Sequence, residues 1–257
     1  MLFDTHTHVQ FEQYDADRDE VMKRASEAGT WMVNVGTDLV SSKKAVALAR
    51  TYKEGVYASV GLHPNDVAAG LDFTPFEELA QNEKVVGIGE TGLDYFRTTE
   101  KEKQELQKEI FIKHIELAHK VHKPLIIHCR GAHPDLLKML LSTRYSLLSI
   151  PGVMHFFGGA GAWENLDAYL EMGFYISFAG VVTFSNYEHA QNIKKIPLER
   201  ILVETDAPFA APAPERGKRN EPSFIQHTAR TIAELKGVGL EEVATQTTKN
   251  ARTLFGV

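Results

Sequence analysis

His6 and His8 stand two residues apart at the end of an apolar run, Leu2-Phe3-Asp4-Thr5-His6-Thr7-His8. Side chains alternate along a strand, so both imidazoles share one face and Thr7 points the other way. Two polar rings on a buried face are costly unless something satisfies them. A divalent cation would do so, and so would a hydrogen bond between the rings; the pair alone is compatible with either. Glu90, His128, His155 and Asp206 each close a further apolar run. Imidazole and carboxylate are the groups that divalent metals take from proteins. Six such groups exceed the needs of one tetrahedral ion and suit two ions ~3.5–4 Å apart with a bridging carboxylate.

These side chains can meet only if the chain gathers the ends of its strands. The apolar runs lie at 2–8, 31–36, 56–62, 84–90, 124–129, 151–157, 174–180 and 200–206. They are rich in Val, Ile, Phe and Tyr and mostly end at Gly, Pro or Asp, as strands do. Helix-like segments alternate with them at roughly 17–28, 41–53, 75–82, 100–122, 132–142, 162–171, 187–195, 222–236 and 240–254. Strict alternation implies parallel strands with right-handed crossovers. Eight such units in 257 residues predict an α/β fold, a (β/α)8 TIM barrel forming one domain over 1–257. A doubly wound open sheet is the competing arrangement. It would set the strand ends along a line, whereas a barrel gathers them around a ring, so the six ligand-type residues favour the barrel. The Pro-rich segment 207–222 follows the last run and is expected as a long loop at the active face or a lid.

Hydrophobic residues make up 43% and charged residues 24%, which excludes collagen-like and disordered chains. No run is long enough for a membrane helix and the first residues lack a secretory pattern, so a cytoplasmic protein without membrane contact is expected. Cys129 is the one cysteine, which rules out an intrachain disulfide and fits a reducing compartment. A net charge of -6 argues against a broad cationic face for DNA, but not against a polyanion held locally by metal ions or a few arginines. No helix shows an unusual apolar stripe, so a monomer is expected.

Several local patterns carry no function. Gly87–Gly92 fits G-x-G-x-x-G, yet no helix begins there and Glu90 would place a negative charge in the anion site. Asp15, Asp17 and Asp19 mimic a calcium loop, but Glu20 stands where glycine is required and Ser26 where glutamate is; a solvated helix N-terminus is expected. Glu116-Leu117-Ala118-His119 has no second copy, so His114, His119 and His122 are expected on the surface of a long helix. Cys129 should face away from His128, and there is no Gly-x-Ser-x-Gly elbow. His133, His189 and His227 fall in helical segments and receive no role.

The segments FDTHTH (3–8), GLHP (61–64), GIGETGLDYF (87–96), IHCR (127–130), the stretch around His155, ETDAPF (204–209) and GKRNEP (217–222) together resemble the TatD-type metal-dependent hydrolases of the amidohydrolase superfamily. The resemblance covers essentially the whole chain. It implies a deformed TIM barrel in which His6, His8, Glu90 and Asp206 hold one ion. It implies a second ion held by Glu90, His128 and His155, with Glu90 as the bridge. It also implies a metal-dependent DNase, often acting 3′ to 5′. Two small departures are His155-Phe156-Phe157, where the family usually has His-Cys-Phe, and Thr205-Asp206-Ala207-Pro208, where Ser or Cys often precedes Pro. Neither removes a ligand.

On this reading the substrate is DNA, single-stranded or with frayed ends, and the reaction is phosphodiester hydrolysis by metal-activated water. Imidazole with carboxylate suits Zn²⁺, Mn²⁺ or Fe²⁺, while Mg²⁺ prefers oxygen. The resemblance places Asp206 beside the water, to orient or deprotonate it. His63, in Gly61-Leu62-His63-Pro64, is assigned to substrate phosphate rather than to metal, with capping as the alternative. Arg130, two residues after His128, should share its face and could grip phosphate. Arg219 could do the same from the loop and Glu221 could fix that loop, with capping and loop anchoring as the alternative for both and for Asn220. Asp94 and Tyr95 either order the loop beyond Glu90 or touch substrate. A competing expectation is a hydrolase of another ester or amide, such as D-aminoacyl-tRNA or a small molecule, which the low basicity favours. The members of the superfamily with a carbamylated bridging lysine are disfavoured, because Glu90 occupies that place. A barrel retained only for binding would be expected to have lost a ligand, and all six are present.

Overall fold

The structure is a computed structural model and describes residues 1–142 and 152–257. Eight strands form one sheet: β1 (Leu2–Thr7), β2 (Thr30–Val35), β3 (Val56–Val60), β4 (Val85–Asp94), β5 (Leu125–Arg130), β6 (Gly152–Met154), β7 (Tyr175–Phe178) and β8 (Ile201–Val203). Each pairs in parallel with its successor, in chain order from β1 to β8. Beyond β8 the chain returns to β1: the Asp206 N–H donates to His6 O and the His8 N–H to Ala207 O, both at 2.8 Å. The result is a nearly closed barrel rather than an open doubly wound sheet, which would reverse its strand order partway. Pro151, in the sixth expected run, lies outside the described residues.

Helices follow the strands: α1 (Arg18–Glu27), α2 (Leu39–Arg50), α3 (Thr74–Ala80), α4 (Lys101–Val121), α5 (His133–Leu141), α6 (Leu166–Glu171), α7 (Ala190–Ile193), α8 (Ile225–Lys236) and α9 (Leu240–Phe255). Local chemistry sets several of their ends. Asp38 and Ser41 form a reciprocal capping box at the start of α2, and Gly237 ends α8 in the left-handed conformation. One apolar layer packs helices on strands. A second joins Phe3, Val33, Val86, Ile126, Val153 and Leu202, from six different strands, to Leu254 and Phe255 of α9. Residues of so many strands meet only inside the barrel, so α9 plugs its N-terminal end and leaves the opposite end free for chemistry.

Two sequence expectations need correction. β4 does not stop at Glu90 but runs on to Asp94, because its far half pairs with β5 as far as Asp94↔Arg130. His114 is fully buried rather than on the surface. Its Nδ1–H donates to Ile110 O (2.8 Å) and its Nε2 accepts from the Leu62 N–H (3.0 Å), so it ties α4 to the end of β3. His119 and His122 are exposed, as expected.

Candidate metal centre

The ligand-type residues sit where regular strand geometry breaks. The β1–β2 register shifts between Asp4 and Thr7, and the β4–β5 register shifts between Ile88 and Thr91. Such bulges re-aim side chains and recur beside active sites; here they flank His6 and Glu90. Glycine permits the close contacts this requires. A Cβ on Gly61 would stand 2.6 Å from the Gly89 Cα, and one on Gly92 (φ +141°) would collide with the His128 carbonyl. Asp206 lies three residues past β8 with φ +55°, a left-handed turn that swings its carboxylate toward β1.

Glu90 occupies the middle. Its Oε1 is 2.9 Å from His128 Nδ1, 3.0 Å from His155 Nε2 and 3.6 Å from His63 Nε2. Its Oε2 is 3.4 Å from His6 Nε2 and 3.9 Å from His8 Nε2. Asp206 Oδ1 lies 3.5 Å from His8 Nε2 and 3.8 Å from His6 Nε2. Three sets of donor atoms fall within 4.8 Å of one another: His6, His8 and Asp206; His6, Glu90 and His155; and His63, Glu90 and His128. All six side chains singled out in the sequence are thus brought together, and His63 with them.

Hydrogen-bond partners fix which nitrogen each ring turns inward. His8 Nδ1 lies 2.7 Å from the Val35 carbonyl, which can only accept, so in the neutral ring Nε2 is a bare lone pair. Behind His128, Asp94 Oδ2 lies 3.2 Å from Nε2, leaving Nδ1 toward Glu90. Behind His155, Glu204 Oε1 lies 3.2 Å from Nδ1, leaving Nε2 toward Glu90. Carboxylates in this position orient a ligating imidazole and raise its basicity. His63 is the reverse case: its Nδ1 accepts from the Asn65 N–H (3.2 Å), so its own proton sits on Nε2.

The donor set fits a divalent cation. The His8 Nε2 lone pair faces two carboxylate oxygens, acceptor against acceptor, and stands 3.1 Å from His6 Nε2. The buried His6 Nδ1 has no hydrogen-bond partner. A cation among these atoms converts repulsion into ligation. Titration directions agree with crowded charge. Burial, reinforced by His155, pushes the His6 pKa down to about 3. Burial also holds His63 at about 4, so that ring is neutral near pH 7. Burial opposes the charge on Glu90, yet His155, His63 and His128 outweigh it and hold the carboxyl well below its usual range. Burial likewise disfavours the charged forms of His128 and His155, but the carboxylates beside each raise both above the ordinary histidine value.

The family model described as TatD related DNase matches residues 3–256. The chain belongs to the TatD family. It is 42% identical over 261 residues to the uncharacterized metal-dependent hydrolase YabD of Bacillus subtilis, each covered in full. It is 34% identical over 265 residues to the 3′-5′ ssDNA/RNA exonuclease TatD of Erwinia amylovora, again with both covered in full. The crystal structure of YJJV, a TatD homolog from Escherichia coli, superimposes with a TM-score of 0.90 at 28% identity, covering 100% of this chain and 98% of that one. A TatD-family, metal-dependent hydrolase barrel therefore accounts for the fold and for the kind of residues gathered at its open end.

The remaining expected positions separate. Arg130 is exposed at the rim, with its guanidinium 3.8 Å from the centre of the Phe96 ring. Arg219 is not brought to the centre. It makes a two-pronged pair with Asp17 (2.8 and 2.6 Å), donates to Gln13 O and lies over Tyr14. Asn220 donates to Thr205 O and Phe209 O, and Glu221 pairs with Arg24 at 2.6 Å. The 207–222 segment is therefore anchored, which is the alternative weighed for these three residues. Burial raises the Cys129 thiol pKa, which disfavours the nucleophilic thiolate. Sequence reasoning missed Glu204 and Asn65. An ideal strand would put Glu204 and Asp206 on one face, and only the turn at Asp206 sends the two carboxylates to different tasks.

Proposed function

We propose that this TatD-family hydrolase cleaves phosphodiester bonds of DNA from the 3′ end of single-stranded or frayed substrates. Two divalent cations would be held, one by His6, His8, Glu90 and Asp206 and the other by Glu90, His128 and His155. The observation that carries the reading is Glu90: its two oxygens face two different histidine groups, as a bridging carboxylate must. Support for a nucleic-acid substrate comes from full-length relatives named as 3′-5′ ssDNA/RNA exonucleases. Bound there, a divalent cation acidifies water and offsets the charge that develops on phosphate.

The chain's own residues supply the rest. Asp206 lies against His6 and His8 and accepts the proton of the attacking water. His63, neutral and protonated on Nε2, donates to a phosphate oxygen without adding a charge to be neutralised. Glu204 and Asp94 keep His155 and His128 aimed. The test is cleavage of a labelled single-stranded oligonucleotide by protein of measured metal content. Activity should vanish on chelation and return with Mn²⁺ or Zn²⁺. Fully loaded protein that leaves the oligonucleotide intact overturns the reading. The net charge of -6 favours a second reading, a small or tRNA-linked ester or amide. A panel of esters, lactams and D-aminoacyl-tRNA would then show turnover where DNA does not.

A further inference from the structure

Two of the exposed large apolar side chains among the described residues are aromatic, Phe96 (67% exposed) and Phe209 (49%). Both belong to the end of the barrel that carries the metal centre. The Phe209 N–H donates to Asp206 O at 2.8 Å, and its ring lies 6.4 Å from that of His8. Phe96 stands two residues beyond Asp94, the carboxylate behind His128. In a ring of eight strands in chain order, the β8/β1 and β4/β5 junctions face each other across the opening. The two rings therefore stand on opposite sides of that opening.

Charge at the rim is equally specific. The Arg130 guanidinium lies over the Phe96 ring, and Arg97 follows Phe96 in an exposed position. Among the described residues neither Arg130 nor Arg97 has a carboxylate at ion-pair distance, whereas Arg18, Arg24 and Arg219 pair with Asp15, Glu221 and Asp17. On a chain of net charge -6, free cations beside an exposed ring are complementary to one kind of ligand. Aromatic faces take unstacked bases and the cations take the backbone beside them.

We infer that Phe96, backed by Arg130, is a stacking platform for a nucleobase of a single-stranded substrate, and that Phe209 receives a base on the far side of the metal centre. This rests on the nuclease reading. A duplex keeps its bases paired and cannot offer them to either ring, so the platforms select single strands and frayed ends.

The probe is a fluorescent octathymidylate with phosphorothioate linkages, which resist cleavage, titrated into metal-loaded protein and followed by anisotropy. Phe96→Ala should weaken binding about tenfold and Phe96→Trp should stay within about twofold of the parent. An octamer of abasic sugar-phosphates also loses the contact at Phe209, so it should bind the parent more weakly than octathymidylate binds Phe96→Ala, and should not distinguish the two proteins. An unchanged melting temperature for Phe96→Ala shows that the variant is folded. Unaltered binding by folded Phe96→Ala, or an abasic strand bound as tightly as octathymidylate, overturns the inference. Protein that cleaves DNA but ignores the substitution loses the platform and keeps the nuclease reading. Protein that binds through Phe96 yet cleaves no oligonucleotide keeps the platform and loses that reading.

Discussion

The His8 Nδ1–H donates to the Val35 carbonyl, while His63 Nδ1 accepts from the Asn65 N–H, so the two rings turn opposite chemistry toward Glu90. A lone pair can ligate; an N–H can only donate. His63→Ala should therefore leave metal stoichiometry intact while lowering kcat/KM about 10- to 100-fold, as for loss of a hydrogen bond to a charged group. Elemental analysis beside kinetics checks this, and loss of an ion would move His63 among the ligands. Glu204 acts through His155. Glu204→Gln keeps the shape and the bond from the Phe156 N–H but removes the negative charge behind the ring. Metal affinity should fall about 10- to 100-fold, read by competition with a chelator. Unchanged affinity would reduce Glu204 to packing. The six ligand-type residues were legible because imidazoles and carboxylates at the ends of apolar runs have few other reasons to be there. Arg219 was not, since an arginine in such a loop reads the same whether it meets phosphate or Asp17.

At the scale of elements, all eight strands could be read because buried parallel strands are short apolar runs. What the sequence hid were the bulges in β1 and β4, which add a residue without marking composition, and the continuation of β4 to Asp94. His114 shows the same limit. A histidine amid the charged residues of α4 looks solvent-facing, yet it falls on the stripe shared with Ile110, Phe111 and Ile115 and bonds the end of β3. Its Nε2 must remain unprotonated to accept from Leu62, and burial lowers its pKa to about 4 from an ordinary 6.5. Between those values the unfolded chain binds the proton and the folded chain does not, so stability falls as pH drops through that window. The loss attributable to His114 should reach about 3 kcal/mol near pH 4. Urea titrations of the parent and His114→Gln at several pH values measure it. The variant should be less stable at pH 7 and lose less on acidification, and parallel pH profiles would remove His114 as the cause.

At the scale of the whole molecule, a net charge of -6 repels a polyanion at long range, so on the proposed nuclease reading binding must be local. At the rim, Arg97 and Arg130 have no carboxylate at ion-pair distance among the described residues, whereas Arg219 is neutralised by Asp17. Counterion release then scales with very few contacts. Two contacts to a single strand give a slope of about -1.4 in log affinity against log salt, hence a loss of about sevenfold between roughly 50 and 200 mM. A cationic channel tracking all seven linkages of the octamer would lose roughly nine-hundredfold across about the same range. Titrating the uncleavable octathymidylate at several salt concentrations, with metal held constant, separates these regimes. Arg130→Ala should flatten the slope by about 0.7. A steep slope that Arg130→Ala leaves untouched would mean that cations elsewhere on the barrel hold the strand.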